Sequence, residues 1–203
     1  MSRRSKRRQK KHKPQPKKEK AMPNGEVDLD KIFCLNAKKY GVEKLKLKAL
    51  AVVESSLNPR AYRFEEKFWN QYLKDKPEWN TRDPKIVSAS WGICQIMFTT
   101  AWALGLRTTP DEAMAEDLCN PVISVELVAK LLRQILDKLD ADKLKLNFSW
   151  LDMFSVALSR YNGGSKGNPD ENGKLRNQSY VDKTTAAWFK LKEAEEEECA
   201  NEV

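Results

Sequence analysis

From Asp28 onward apolar residues recur at a spacing of three to four. Leu29, Ile32, Phe33 and Tyr40 predict a helix that Asp28 caps and Gly41 ends. The next segment, Leu45 to Val53, carries Leu45, Leu47, Ala49, Leu50, Ala51, Val52 and Val53, an apolar surface too wide for a helix lying on the outside, so it should be central. Asn120-Pro121 supplies a cap followed by proline at the first helical position, and Val128, Leu131, Leu132, Ile135, Leu136 and Leu139 then form a stripe of nearly three turns. Further helices are expected from about Trp150 to Ser159, and from about Val181 through Trp188, Phe189 and Leu191 into the acidic run Glu195 to Glu198. Only the span around Trp91 to Met97 has local strand character, and no internal repeat is visible. The predicted class is mainly α, with at most a small β element.

Length and charge sharpen this picture. The chain has 203 residues, 40% of them hydrophobic. A domain of that size buries roughly 70% of the surface its unfolded form exposes, so it needs no disulfide or metal framework. No stretch approaches the roughly 20 apolar residues that cross a bilayer, which argues against an integral membrane segment. The formal charge of +8 is concentrated at one end: residues 1 to 20 hold eleven Lys or Arg against Glu19, a net of +10, while the rest of the chain carries −2. With no aromatic or branched aliphatic residue before Val27, residues 1–26 read as a disordered basic tail and 27–203 as the folded domain, expected to be monomeric. The tail suits an anionic envelope polymer or nucleic acid, or simply keeps the chain soluble. No apolar run follows its charges, so no secretory signal peptide is read, and synthesis in the cytoplasm is expected, with release from the cell or carriage in a virion to follow.

The side chains available narrow the chemistry. Cys34, Cys94, Cys119 and Cys199 form no C-x-x-C pair, and the one histidine, His12, lies in the tail. This argues against a zinc site or other metal and against Ser-His-Asp or Cys-His catalysis, and it leaves mostly buried free thiols as the expectation. No cofactor is called for; carboxylates, amides and hydroxyls must do the work. Phe64, Phe68 and Tyr72 are four apart and read as one helix face packed on the core. Trp69, Trp79 and Trp91 fall off that stripe, where flat amphipathic rings could serve as sugar platforms.

Glu54 ends the most apolar segment and is followed by Ser55, Ser56 and the helix-stopping Asn58-Pro59. At the end of a buried helix, desolvation and the negative end of the dipole both disfavour its ionised form, so its pKa should rise. A carboxyl protonated near neutral pH is what protonation of a glycosidic oxygen requires. Taken alone, the residue reads more readily as a carboxylate that caps or salt-bridges at a helix end. Three further segments bear on it. Ser90 to Met97 sets Gly92 three residues before Gln95, whose amide can donate and accept to a sugar. Ser159 to Gly164 ends an apolar helix in the turn-forming Asn162-Gly163-Gly164, leaving the Tyr161 hydroxyl facing a cleft, and Tyr180-Val181 opens the last helix.

In this order Glu54-Ser55, Gly92-x-x-Gln95-Ile-Met97, Tyr161-Asn162-Gly163 and Tyr180-Val181 resemble the catalytic domain of the soluble lytic transglycosylases, the lysozyme-like fold shared with goose-type lysozymes. The resemblance spans roughly residues 30 to 190. It implies cleavage of the β-1,4 bond between N-acetylmuramic acid and N-acetylglucosamine in the glycan strands of peptidoglycan, with Glu54 as the sole catalytic carboxylate. It further implies that Ser55 supports Glu54, that Gln95 and Met97 line the cleft, and that Tyr161, Asn162 and Tyr180 position Glu54 and the sugar as the substrate-binding set. Cys94 stands where the family usually has Met, and Arg160 where it usually has Ala. The 37 residues between Glu54 and Gly92 exceed the family's common spacing, a feature similar to phage lysin domains.

In the transglycosylase scheme no second carboxylate takes part. Glu54 protonates the leaving oxygen, then removes the proton from the muramic C6 hydroxyl, which closes a 1,6-anhydro ring. A hydrolytic muramidase normally places a second carboxyl about 5 to 9.5 Å away. Goose-type lysozymes typically carry that Asp just before the Gly-x-x-Gln segment, where this chain reads Val87-Ser88-Ala89-Ser90-Trp91. The lyase is therefore preferred over the muramidase, with Glu65, Glu66 and Asp83 as the acids that could fold back into the cleft. A non-enzymatic virion or nucleic-acid-binding protein built on the same scaffold is the remaining alternative.

Overall fold

The computed structural model describes residues 27–107, 109–142, 152–170 and 172–201. The basic segment 1–26 and the expected helix start at Trp150 lie outside them.

The first helix, α1 (Leu29–Tyr40), begins where Asp28 accepts a hydrogen bond from the Lys31 N–H at 2.9 Å and ends at Gly41 in the left-handed region. Helix α2 (Lys44–Ser55) is the centre of the molecule: Leu47, Ala49, Leu50 and Ala51 are all fully buried. Each buried leucine contributes about 1.5–3 kcal/mol relative to exposure. Its three lysines run out of the core to three different neighbours. Lys48 pairs with Asp30 of α1 at 2.8 Å, Lys44 with Glu195 of the C-terminal helix at 2.5 Å, and Lys46 lies over the rings of Phe154 and Trp188 at 4.8 and 5.0 Å.

After α2 come a short strand β1 (Tyr62–Phe64) and a one-turn helix α3 (Glu66–Phe68) that widens into a π-turn over Trp69–Leu73. Helix α4 (Pro84–Val87) leads to β2 (Ala89–Trp91) and β3 (Ile96–Met97), which pair antiparallel in the order β1-β2-β3. Helix α5 (Phe98–Ala103) and a 3-10 turn (Ala115–Cys119) precede α6 (Pro121–Asp142), which opens as expected, with the Asn120 Oδ1 accepting from the Val122 N–H at 3.0 Å. Helix α7 (Met153–Gly163) is capped by Asp152, and α8 (Gln178–Asn201) closes the bundle by packing along α2. Among the described residues no helix is long and apolar enough to cross a membrane. The molecule is thus mainly helical with one three-stranded sheet, in line with the sequence.

Three readings need correction. Phe64 is in β1, so Phe64, Phe68 and Tyr72 do not share a helix face, and Tyr72 is exposed rather than packed on the core. Trp79, an expected sugar platform, is buried and packs edge-on against Phe98 and Trp102, because its segment folds back over α5. Of the thiols described, Cys94 is buried, Cys119 is partly so, and Cys34 is exposed on the outer side of α1.

Candidate active site

The apolar α2 carries Glu54 to its last turn, and the helix stops because Ser56 and Leu57 both adopt left-handed backbone conformations. Glu54 is thereby held half-buried at the head of a cleft of about 590 Å³. Tyr180, in the first turn of α8, donates its hydroxyl to the Glu54 Oε1 at 2.7 Å. Burial pushes the Glu54 carboxyl above its ordinary pKa; the Tyr180 hydrogen bond and the Arg63 charge pull it back, and the Glu65 charge adds to the rise. Burial also raises the pKa of Tyr180, so its proton stays available for donation.

The floor of the cleft is the turn between β2 and β3. Gly92 has φ +74°, and a Cβ there would lie 1.9 Å from the Leu118 carbonyl oxygen, so no other residue fits without displacing that backbone. Two hydroxyls from different helices hold the turn. Ser55 donates to the Ile93 carbonyl at 2.7 Å, and Tyr161 of α7 donates to the Cys94 carbonyl at 2.6 Å. Gln95, which follows, has φ +50°, an uncommon conformation for a side-chain-bearing residue and of a kind that clusters at functional sites. Its amide Nε2 donates to the Gly92 carbonyl at 3.1 Å, which leaves Oε1 without a partner among the described residues. Met97 is steadied by the Ser90 hydroxyl, 3.2 Å from its sulfur.

The far side comes from the end of α7. Gly163 lets the Asn177 amide approach, since a Cβ would lie 2.3 Å from its Nδ2, and Gly164 turns the chain at φ +57°. Asn162 is exposed on the cleft wall with no hydrogen-bond partner among the described residues.

Five of the seven sequence-derived residues therefore line one cleft: Glu54, Gln95, Met97, Tyr161 and Asn162. Ser55 and Tyr180 stand behind it. The Ser55 hydroxyl is bound to the turn and not to Glu54, and Tyr180 meets the carboxylate from the side of α8. The Tyr161 hydroxyl, expected to face the cleft, is committed to the Cys94 carbonyl, because the turn brings that carbonyl within reach.

Besides Glu65, one of the acids expected to be able to reach the cleft, the lining includes Arg63 and Thr100, which the sequence did not single out, and Phe68, Tyr72 and Leu131, which it assigned to packed helix faces. Arg63 and Glu65, two residues apart, pair at 2.5 Å; that i,i+2 charge pattern in an extended segment was the available signal. Of the acids considered as a second carboxylate, Glu65 lines the cleft, whereas Asp83 caps α4 and Glu66 is exposed in the first turn of α3. Cys94, beneath the turn, is a buried thiol that burial and the Glu54 charge keep protonated. Among the described residues no group of His, Cys, Asp and Glu could hold a metal ion.

No solved structure matches the chain. The family model described as the transglycosylase SLT domain matches residues 32–182, a span that includes every residue of the seven. The chain therefore belongs to the transglycosylase SLT domain family, whose members are peptidoglycan lytic transglycosylases, enzymes that break a glycosidic bond as lyases.

Proposed function

We propose that this lytic transglycosylase cleaves the N-acetylmuramic acid-β-1,4-N-acetylglucosamine bond with Glu54 as its one catalytic carboxylate. Glu54 first gives its proton to the bridging oxygen as the bond from the muramic C1 breaks. The carboxylate so formed then takes the proton of the muramic C6 hydroxyl, whose oxygen bonds to C1 and closes the 1,6-anhydro ring. Acid and base are the same group, and no water is consumed. The observation that carries this reading is the Glu54 carboxyl, raised in pKa by burial, at the head of a cleft and hydrogen-bonded by a tyrosine hydroxyl that favours its carboxylate form. Gln95, Met97 and Asn162 contact the strand, Ser55 and Tyr161 hold the turn that presents Gln95, and Tyr180 positions Glu54.

The Glu54→Gln variant tests the assignment. It should stay folded and lose nearly all clearing of a peptidoglycan suspension; retained activity would remove Glu54 from the mechanism.

A hydrolytic muramidase is the second reading, favoured by the presence of Glu65 in the same cleft. Its pairing with Arg63 at 2.5 Å argues against it, because a carboxylate committed to a guanidinium is a poor base for water. The net +10 over residues 1–20 supports a grip on an anionic envelope polymer once the enzyme has been released from its producing cell or carried in a virion. Removal of those residues should weaken sedimentation with cell walls at low salt and change little at high salt.

A further inference from the structure

Phe68 and Tyr72 make a paired aromatic surface on the cleft wall that none of the four shared motifs contributes. Both come from the long stretch between Glu54 and Gly92. Phe68 ends α3 and rests against the core, while Tyr72 lies in the π-turn that follows. Their ring centroids are 5.1 Å apart at a tilt of 47°. The π-turn is closed by the Lys74 N–H on the Trp69 carbonyl at 3.1 Å, a widened helical turn of the sort frequently found at functional sites.

Exposure singles out Tyr72. At 41% it is the one exposed large hydrophobic residue among those described that also lines the cleft with Glu54. Ligand sites are concave and lined by aromatic side chains, and a ring exposed inside such a cleft offers an apolar face that a flat apolar ligand surface can cover. The β-linked pyranoses of a glycan strand carry their bulky substituents in the ring plane and expose C–H bonds above and below it, which gives a flat apolar face edged by polar groups. An aromatic ring matches that face, and the polar groups of Arg63, Gln95 and Asn162 on the same cleft match the edges.

We propose that Tyr72, backed by Phe68, is a stacking platform for a pyranose ring of the glycan strand and so sets how tightly this enzyme holds its polymer. The proposal rests on the reading that a glycan strand fills this cleft. Tyr72 acts through uniform binding, holding strand and transition state alike, so its loss raises KM and leaves kcat in place.

The test measures binding of peptide-free glycan strands of alternating N-acetylglucosamine and N-acetylmuramic acid to the full chain in a Glu54→Gln background, where turnover is blocked. Adding Tyr72→Ala should weaken binding roughly tenfold, which is about 1.4 kcal/mol, with no change in melting temperature. Adding Tyr72→Phe, which keeps the ring, should bind as the Glu54→Gln protein does. In the otherwise wild-type enzyme, Tyr72→Ala should raise KM with kcat and the pH profile unmoved. Unchanged binding by the Ala variant overturns the platform, as does an equal loss in the Phe variant, which would assign the contact to the hydroxyl. These outcomes separate from those of the reaction scheme: anhydro products from wild type with no Tyr72 effect sink the platform alone, and a Tyr72 effect without anhydro products sinks the scheme alone.

Discussion

Tyr180 and Glu54, 126 residues apart in the chain, meet across a 2.7 Å hydrogen bond that joins the last turn of α2 to the first turn of α8. The contact exists because the two helices pack along one another, with α2 ending and α8 beginning at the cleft. As the donor, the tyrosine favours the carboxylate and lowers the Glu54 pKa against the larger effect of burial.

Tyr180→Phe should therefore raise the Glu54 pKa further. The high-pH limb of kcat/KM, where the free enzyme loses its acid, should move to higher pH. At the same time kcat should fall about tenfold or more, because a hydrogen bond to a charged group contributes about 1.5–3 kcal/mol and the carboxylate of the second step loses it. A pH–rate series on soluble glycan strands measures both.

The Arg63–Glu65 pair tunes the same group from the other wall. The Glu65 charge raises the Glu54 pKa and the Arg63 charge lowers it. Glu65→Gln should accordingly shift the high-pH limb downward, and Arg63→Met should shift it upward. Glu65→Gln should also retain most of the wild-type kcat at low pH, since this carboxylate takes no proton in the lyase scheme. A loss of 100-fold or more at every pH would instead make Glu65 a second catalytic acid.

The turn that carries Gln95 depends on two hydroxyls. Tyr161→Phe leaves the Cys94 carbonyl without its partner, and Ser55→Ala does the same for the Ile93 carbonyl. Each should cost about 1–3 kcal/mol of stability, read as a fall in melting temperature of several degrees, and each should lower activity without moving the pH profile. A shift in the pH profile with Tyr161→Phe would mean that its hydroxyl acts on Glu54 directly.

Much of this was legible in the sequence, and what was not has physical reasons. Asp28, Gly41 and Asn120-Pro121 mark helix ends by local hydrogen bonding and backbone preference, so α1 and the start of α6 stand where the pattern put them. The wide apolar surface of Leu45 to Val53 announced a central helix, and the residue following it was the candidate acid. Strand β1 escaped because three residues, Tyr62 to Phe64, are too short for alternation to declare itself, and Phe64 fell by chance into register with Phe68 and Tyr72. The aromatic roles were exchanged for the same reason. Which ring is buried depends on how the π-turn and the following loop pack, so Trp79 went to the core and Tyr72 to the cleft. The Tyr161 hydroxyl could not be placed without the fold, because its acceptor lies 67 residues away.

The most direct test of the central claim is digestion of purified peptidoglycan by the full chain in water enriched in oxygen-18, with mass analysis of the muropeptides. If Glu54 serves in turn as acid and base, the new ends are 1,6-anhydromuramic acid, lighter by one water than hydrolysed ends and free of the label. Hydrated reducing ends carrying oxygen-18 would contradict the account and make the protein a hydrolase.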